Sequence, residues 1–85
     1  MTWWVYLLRC GDGTLYCGVA LDVAARLKQH QEGTGAKYTR GRGPLAVVYR
    51  EACATKAAAL RRERQIKRLP RAGKLALLGR TPPTV

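Results

Sequence analysis

Acidic side chains are scarce in this 85-residue chain, which has five Asp and Glu against sixteen Lys and Arg and a net charge of +11. For a domain of this size, such an excess of positive charge is typical of a protein that binds a polyanion. Arginine outnumbers lysine eleven to five, and its planar guanidinium matches phosphate oxygens better than an ammonium group does. The composition therefore favours nucleic acid as the partner over a basic surface that is merely solvated.

The chain also lacks the cysteine spacing of a zinc site or of a disulfide framework. Its three cysteines, Cys10, Cys17 and Cys53, are odd in number and form no C-x-x-C pair. Free thiols are typical of a reducing compartment. No apolar run approaches the length of a membrane span, and no basic segment with a cleavage site opens the chain. We therefore expect a cytoplasmic protein without membrane contact.

The length allows a single hydrophobic core, because 85 residues are too few for two. We predict one domain over residues 1–80 and a short tail over residues 81–85, where two prolines follow one another. Neither an internal repeat nor a linker divides the domain. The oligomeric state is not encoded in any feature of the sequence.

The first twenty residues predict a β-hairpin. Trp3–Cys10 and Leu15–Ala20 are rich in aromatic, apolar and β-branched residues, and the turn Gly11-Asp12-Gly13-Thr14 separates them. Apolar side chains occupy both alternating sets of positions in the first run. We therefore expect it to be a central strand that is covered on both faces.

The rest of the chain predicts one more strand and three helices. Asp22 is a suitable N-cap for a helix over Val23–Glu32, and Gly33 is suited to end it. The further elements are a strand over Leu45–Arg50, a helix from Lys56 to about Leu69 that Thr55 caps, and a helix over Arg71–Leu78 that ends at Gly79.

This order, β-β-α-β-α-α, indicates an α+β domain in which helices flank a three-stranded, mostly antiparallel sheet. Residues 33–44, between the first helix and the third strand, are rich in glycine and contain three cations. We expect this segment to be a basic loop that is flexible enough to follow a phosphate backbone.

Five residues of the predicted fold carry chemistry. Tyr6 and Tyr16 can point out of one face of the hairpin, and Arg26 and His30 share a stripe of the first helix. Glu63 is the one acidic residue between positions 52 and 85, and it lies on the apolar stripe of the second helix. The structural alternatives are a half-buried tyrosine pair, a solvated helix face and a surface ion pair of the glutamate. In so basic a chain, the five together indicate chemistry on a phosphate backbone.

These residues and their spacing resemble the GIY-YIG nuclease superfamily over residues 3–79. The first signature is Val5-Tyr6-Leu7, so Tyr6 matches the family tyrosine by its place in the strand and its spacing to Tyr16. The second is Tyr16-Cys17-Gly18, with Cys17 at an apolar position that is usually Ile. The chain is most similar to the small stand-alone bacterial members and to the nuclease domain of junction-cutting enzymes. The other matching segments are Asp22–His30, Gly35–Thr39, Ala59–Glu63 and Ile66-Lys67.

The resemblance implies a catalytic role for each of the five residues. Tyr6 would act as general base or orient the attacking water, with help from His30 and from cations that lower the phenol pKa. Tyr16 would hydrogen-bond a phosphate oxygen or the water. Arg26 would hold the pentacovalent phosphate as negative charge builds up. Glu63 would be the carboxylate ligand of a divalent cation, Mg²⁺ or Mn²⁺.

Further residues are expected to bind the nucleic acid without taking part in the reaction. Cations beside phosphates position the strand and do not read its sequence. Gly18 would leave room where the backbone approaches the substrate, and Tyr38 would either stack on a base or close the loop. The full set is Gly18, Lys37, Tyr38, Arg40, Arg42, Arg61, Arg64 and Lys67.

The sequence thus predicts a divalent-cation-dependent endonuclease that hydrolyses phosphodiester bonds in structured or single-stranded DNA, with DNA repair as the process. A domain this small has no recognition helix to specify a sequence, so a partner protein could supply substrate specificity. The first alternative is a non-catalytic or partner-dependent nucleic-acid-binding module that keeps the nuclease fold. A second is an RNA-associated protein, because no residue singled out here discriminates a 2′-hydroxyl.

Overall fold

The computed structural model describes residues 1–35 and 39–78, and within them the chain forms three strands and three helices. In chain order these are β1 (Trp3–Arg9), β2 (Leu15–Ala20), α1 (Val23–Gln31), β3 (Ala46–Cys53), α2 (Lys56–Arg68) and α3 (Arg71–Leu78). The strand order is β2-β1-β3, and both pairings are antiparallel. The predicted α+β class, the element order and the central position of β1 are confirmed.

One face of the sheet is covered by α2 and α3. Val5 and Leu7 of β1 are fully buried on this face, together with Ala59 and Ile66 of α2. Leu77 joins the same cluster from α3. Burying one large aliphatic side chain contributes about 1.5–3 kcal/mol, so this cluster supplies much of the driving force that holds α2 and α3 on the sheet.

The opposite face is covered by α1. Tyr6 and Leu8, which alternate with Val5 and Leu7 along β1, pack there with Val23 of α1, and Leu27 lies against the same cluster. The strand β1 is thus buried on both sides, as its apolar residues at both parities predicted. The candidate tyrosine lies on the α1 side of the sheet.

Local capping determines where the helices begin and end. Asp22 Oδ1 accepts a hydrogen bond from the Ala25 amide, and Thr55 Oγ1 accepts one from the Ala58 amide. Gly33 has a φ of +80°, which suits glycine just beyond the end of α1. These caps confirm the predicted starts of α1 and α2.

The third strand is longer than predicted. The predicted range is Leu45–Arg50, whereas β3 spans Ala46–Cys53. Its pairing with β1 continues to the last residue, where Cys53 is opposite Trp3. Arg50 and Glu51 looked like the end of an apolar run. An edge strand tolerates such polar side chains, because its main-chain hydrogen bonds to β1 hold it in place. The other ends of strands and helices agree with the predictions to within one residue.

The segment between α1 and β3 is anchored to the hairpin turn. The Gly11 amide donates to the Arg42 carbonyl at 2.6 Å, and the Arg42 guanidinium forms a 2.6 Å ion pair with Asp12. The loop is therefore held more firmly at Arg42 than its glycine content predicted. The predicted end of the last helix at Gly79 and the tail over residues 81–85 lie outside the described residues.

Candidate active site

Tyr6 and Tyr16 lie on the same face of the sheet, with ring centroids 6.5 Å apart. Tyr6 is only 1% exposed because β1 is central, whereas Tyr16 is half-buried because β2 is an edge strand. The pair therefore combines a buried phenol with a phenol that a ligand can reach.

Gly18 provides the space that the Tyr6 phenol occupies. The two residues are directly opposite each other in the β1–β2 pair. A Cβ on Gly18 would lie 2.5 Å from Tyr6 Oη and 2.7 Å from its Cζ, closer than packed carbon atoms approach. The resemblance had implied a gap for the substrate backbone at Gly18. In the structure, the missing side chain is needed by Tyr6.

His30 links Tyr6 to the loop that follows α1. The Tyr6 hydroxyl lies 2.9 Å from His30 Nε2, and His30 Nδ1 lies 2.9 Å from Thr39 Oγ1. His30 and Thr39 are each 2% exposed. The His30 ring also makes an edge contact with Tyr16, with centroids 5.2 Å apart. Tyr6, His30 and Thr39 form a buried hydrogen-bonded chain, called here the tyrosine–histidine relay.

Two residues of the loop contact the His30 ring and fix its position. A Cβ on Gly35 would lie 2.5 Å from His30 Nδ1, so only glycine leaves room for the ring. Thr39 supplies the hydrogen bond to the same nitrogen. Thr39 was not among the predicted site residues, although it ends the Gly35–Thr39 segment that carries the family resemblance. A buried threonine hydroxyl nine residues from a histidine leaves no periodic signal in the sequence.

The protonation states of the relay follow from its burial. Burial raises the pKa of the Tyr6 phenol to about 12, and the Arg26 guanidinium beside it opposes this rise without cancelling it. Arg26 thus lowers the Tyr6 pKa as expected of a neighbouring cation, but desolvation is the larger effect, so the net pKa is raised. Burial, followed by the charge of Arg26, lowers the pKa of His30. At neutral pH the relay holds a protonated phenol and a neutral imidazole.

Arg26 lies beside the relay on α1. Its Nη1 donates a 2.9 Å hydrogen bond to Gln29, one turn along the helix. Its Nε is buried and finds no hydrogen-bond acceptor among the residues that the structure describes. A buried guanidinium N–H without an acceptor costs free energy, so an anion that reaches this nitrogen would be stabilised.

Glu63 lies across the sheet from the relay. It is on α2, its side chain is 17% exposed, and it forms a 3.3 Å ion pair with Lys67, one turn further along. Burial raises the pKa of Cys17 to about 12; Glu63 adds to this rise, and Lys67 and Lys74 oppose it. Glu63 therefore lies near Cys17, the residue that follows Tyr16 in β2. The structure brings Tyr6, Tyr16, Arg26 and His30 together and places Glu63 on the other side of the same edge strand.

The residues expected to bind nucleic acid are spread over three places. Arg40 is exposed in the loop before β3, and Arg42 is paired with Asp12. Arg61, Arg64 and Lys67 are exposed on α2, and Gly18 lies under Tyr6. Lys37 and Tyr38 lie outside the described residues.

Within residues 1–35 and 39–78, no helix is both long enough and apolar enough to cross a bilayer. In the same residues, no three or more His, Cys, Asp or Glu side chains are grouped so that they could hold a metal ion.

The chain matches a known catalytic family along most of its length. The family model described as the GIY-YIG catalytic domain matches residues 2–76. A UPF0213 protein of Nitratidesulfovibrio vulgaris is 51% identical over 76 residues, which cover 89% of this chain and 69% of the relative. A UPF0213 protein of Staphylococcus aureus strain Mu3 is 50% identical over 74 residues, which cover 87% of this chain and 90% of the relative.

Two solution NMR structures share the fold. The UPF0213 protein BH0048 from Bacillus halodurans is 46% identical, with a TM-score of 0.60. The protein EF2693 from E. faecalis is 34% identical, with a TM-score of 0.65. Each alignment covers 93% of this chain and 84% of the other chain.

Proposed function

The chain belongs to the GIY-YIG catalytic domain family, and from this premise we propose that it is a divalent-cation-dependent endonuclease that hydrolyses phosphodiester bonds in structured or single-stranded DNA. The observation that carries the proposal is the buried tyrosine–histidine relay, with Tyr16 and Arg26 beside it. Mg²⁺ or Mn²⁺ as the cation, a cytoplasmic location and a part in DNA repair remain predictions from the sequence.

The relay supports general-base catalysis without an ionised tyrosine. When His30 Nδ1–H donates to Thr39 Oγ1, Nε2 is left as an acceptor for the Tyr6 hydroxyl. As the water attacks phosphorus, its proton passes to Tyr6 Oη while the phenol proton passes to His30 Nε2. The tyrosine then never bears a full negative charge, which its raised pKa would make costly.

Arg26 and Tyr16 support the proposed binding of the phosphate. The buried Nε of Arg26 lacks an acceptor among the described residues, and a non-bridging phosphate oxygen is a suitable one. Negative charge builds on these oxygens in the pentacovalent transition state, so the guanidinium stabilises that state more than the ground state. Tyr16, half-buried at the edge strand, can donate its hydroxyl to the same phosphate.

Glu63 is the residue that would hold the divalent cation. Mg²⁺ is commonly bound through one or two carboxylates together with water and substrate phosphate oxygens. The Glu63 carboxylate is partly accessible, and its ion-pair partner Lys67 is exposed, which suits such a site. When bound, such a cation neutralises charge on the phosphate and its leaving oxygen. The Tyr16 side chain and Glu63 lie on opposite faces of the edge strand β2. A phosphate at this edge of the sheet could therefore contact Tyr16 from one face and the cation held by Glu63 from the other.

A nucleic-acid-binding module is the second candidate. The observation that favours it is the position of Glu63 across the sheet, where Lys67 already pairs with it. If this ion pair is purely structural, the basic surface would still bind phosphates electrostatically, but no carboxylate would serve the reaction.

Cleavage assays distinguish the two candidates. The parent protein is incubated with end-labelled flaps, forks, junctions, single-stranded DNA and RNA in Mg²⁺, Mn²⁺ or EDTA. The nuclease proposal expects internal cuts in at least one DNA substrate with a divalent cation and none in EDTA. Tight binding to all of them without a cut would support the binding module, and cuts confined to RNA would reject DNA as the substrate.

A further inference from the structure

A second group of cations surrounds a small cavity at the start of β2. The cavity has a volume of about 180 Å³ and is lined by Thr14, Leu15, Arg71 and Lys74. Since one water molecule occupies about 30 Å³ in the liquid, this volume accommodates a phosphate group with a few waters. Neither cation was among the residues that the sequence suggested for nucleic-acid binding.

The geometry of this cavity is held by contacts between α3 and the hairpin turn. Arg71 Nη2 donates a 3.1 Å hydrogen bond to the Gly13 carbonyl, which fixes the first turn of α3 against the residue before Thr14. Arg71 remains exposed, and Lys74 is half-buried. The Arg71 guanidinium is thus positioned before any ligand arrives, which lowers the entropic cost of binding.

Their charges are not neutralised by neighbouring acids. The ion pairs of the described part use Arg42, Arg62 and Lys67, and within residues 1–35 and 39–78 neither Arg71 nor Lys74 forms one. A guanidinium and an ammonium group beside a threonine hydroxyl make a donor set without an acidic side chain. This set matches the oxygens of a phosphate.

The cavity and the candidate cation site lie along the same edge strand, β2. Lys74 and Glu63 both lie close enough to Cys17 for their charges to act on its thiol. Thr14 precedes Cys17 by three residues, which is about 10 Å of strand. The cavity and Glu63 therefore lie along one short stretch of β2, within the reach of a few nucleotides of a single strand.

We propose that the Thr14–Leu15–Arg71–Lys74 cavity is a subsite for one backbone phosphate of the bound DNA strand, a few nucleotides from the bond that is cut. The proposal rests on the proposed nuclease function, because that function places the strand along β2. The subsite contacts phosphate alone, so it sets the register of the strand and does not read its bases.

Binding to single-stranded DNA that carries one neutral methylphosphonate tests this subsite. Fluorescently labelled oligonucleotides with the substitution at successive positions are titrated in EDTA, so the readout does not depend on cleavage. For the parent protein, besides the phosphate bound by Arg26, a second position should weaken binding about tenfold, the size expected for a lost charge-assisted hydrogen bond. In Lys74→Gln, the penalty at that position should largely disappear, because the partner charge is already absent.

Lys28→Gln is the matched control, since Lys28 is exposed on α1, on the opposite face of the sheet. It removes the same charge and should leave the position-dependent penalty intact.

The salt dependence of binding gives a second readout, the slope of log K against the logarithm of the salt concentration. Lys74→Gln, Arg71→Gln and the double variant should each flatten this slope by about 0.7, the value for one phosphate of a single strand. A double variant that flattens the slope by about 1.4 would mean two separate phosphates and overturn the shared subsite.

The result also separates this inference from the nuclease proposal. If Lys74→Gln keeps every methylphosphonate penalty of the parent, or the parent does not bind the oligonucleotides, the subsite is overturned even if the protein cuts DNA. If the position-specific penalty is present and Lys74→Gln removes it, the subsite stands, and a parent that cuts nothing then contradicts only the nuclease proposal.

Discussion

The hydroxyl of Tyr6 lies 2.9 Å from Nε2 of His30, inside the layer between the sheet and α1. Burial keeps the phenol protonated and the imidazole neutral at physiological pH. A neutral histidine can accept the phenol proton as the phenol accepts one from water. The hydrogen bond thus gives a catalytic role to a tyrosine that is too buried to ionise by itself.

Replacing Tyr6 with phenylalanine should remove the relay and keep the fold. The ring still packs beside Leu8 and Val23, but the hydroxyl that receives the proton is gone. General acid–base catalysis contributes typically 10²–10⁴-fold, so the single-turnover rate of Tyr6→Phe should fall by about that factor. DNA affinity in EDTA should remain within about twofold, because the buried hydroxyl adds no charge to the binding surface.

Tyr49→Phe is the control for this experiment. Tyr49 is also buried and donates its hydroxyl to Glu51 at 2.8 Å, but it belongs to the cluster on the opposite face of the sheet. It should cut at nearly the parental rate. Equal losses in the two variants would indicate a general effect on folding and not a role for the relay.

The sequence was sufficient to predict the elements of the fold and the residues around Tyr6. Apolar residues at both alternating sets of positions predicted the central strand, and Asp22 and Thr55 predicted two helix starts. These signals are local, so they can be read without tertiary contacts. β3 was underestimated because its last residues are held by pairing with β1, which involves residues distant in the chain.

The energetics of the site could not be predicted in the same way. The raised pKa of Tyr6 depends on how deeply α1 buries it, and sequence patterns do not give that depth. Thr39, nine residues after His30, hydrogen-bonds its ring from outside the predicted strands and helices, where periodicity carries no information. The position of Glu63 across the sheet from the tyrosines follows from packing of α2 on the Cys17 side, which the order of the motifs does not determine.

Removing the Thr39 hydroxyl should change the pH profile of cleavage. The parental rate should rise with pH through the lowered pKa of His30 and level off, because the neutral imidazole is the active form. In Thr39→Val, the acceptor for Nδ1–H is lost, which disfavours the imidazolium. The pH range over which the rate rises, called here the acidic limb, should then move to lower pH, and the plateau rate should fall about tenfold. Measurements of kcat from pH 5 to 9 would show both changes.

Thr39→Ser keeps the hydroxyl and should restore both the limb and the plateau. A shift of the limb to higher pH in Thr39→Val would instead mean that Thr39 donates to His30. Nε2 would then carry the hydrogen, and His30 could not accept a proton from Tyr6.

Stability at alkaline pH should report the buried phenol. The folded-state pKa of Tyr6 is raised from 10.0 to about 12, so above pH 10 the unfolded chain loses this proton more readily than the folded chain does. The phenol's contribution should be fully present below pH 10 and disappear as the pH rises towards 12. At 1.36 kcal/mol per pKa unit, the free energy of unfolding should fall by about 2 kcal/mol more in the parent than in Tyr6→Phe by pH 11.5. Urea titrations at pH 8, 10 and 11.5 measure this difference, and parallel curves for the two proteins would contradict a buried phenol.

Glu63→Gln separates the reaction from binding. The amide keeps the size of the side chain but loses the charge that would hold a divalent cation, so Mg²⁺-dependent cleavage should fall by at least about a hundredfold. Affinity for DNA in EDTA should stay equal or increase slightly, because a negative charge near the phosphates is removed. The matched control is Glu32→Gln, which removes the same charge from the exposed end of α1 and should cut normally. Parental cleavage by Glu63→Gln at every Mg²⁺ concentration would show that this carboxylate only pairs with Lys67, and the cation, if required, would have to be held elsewhere.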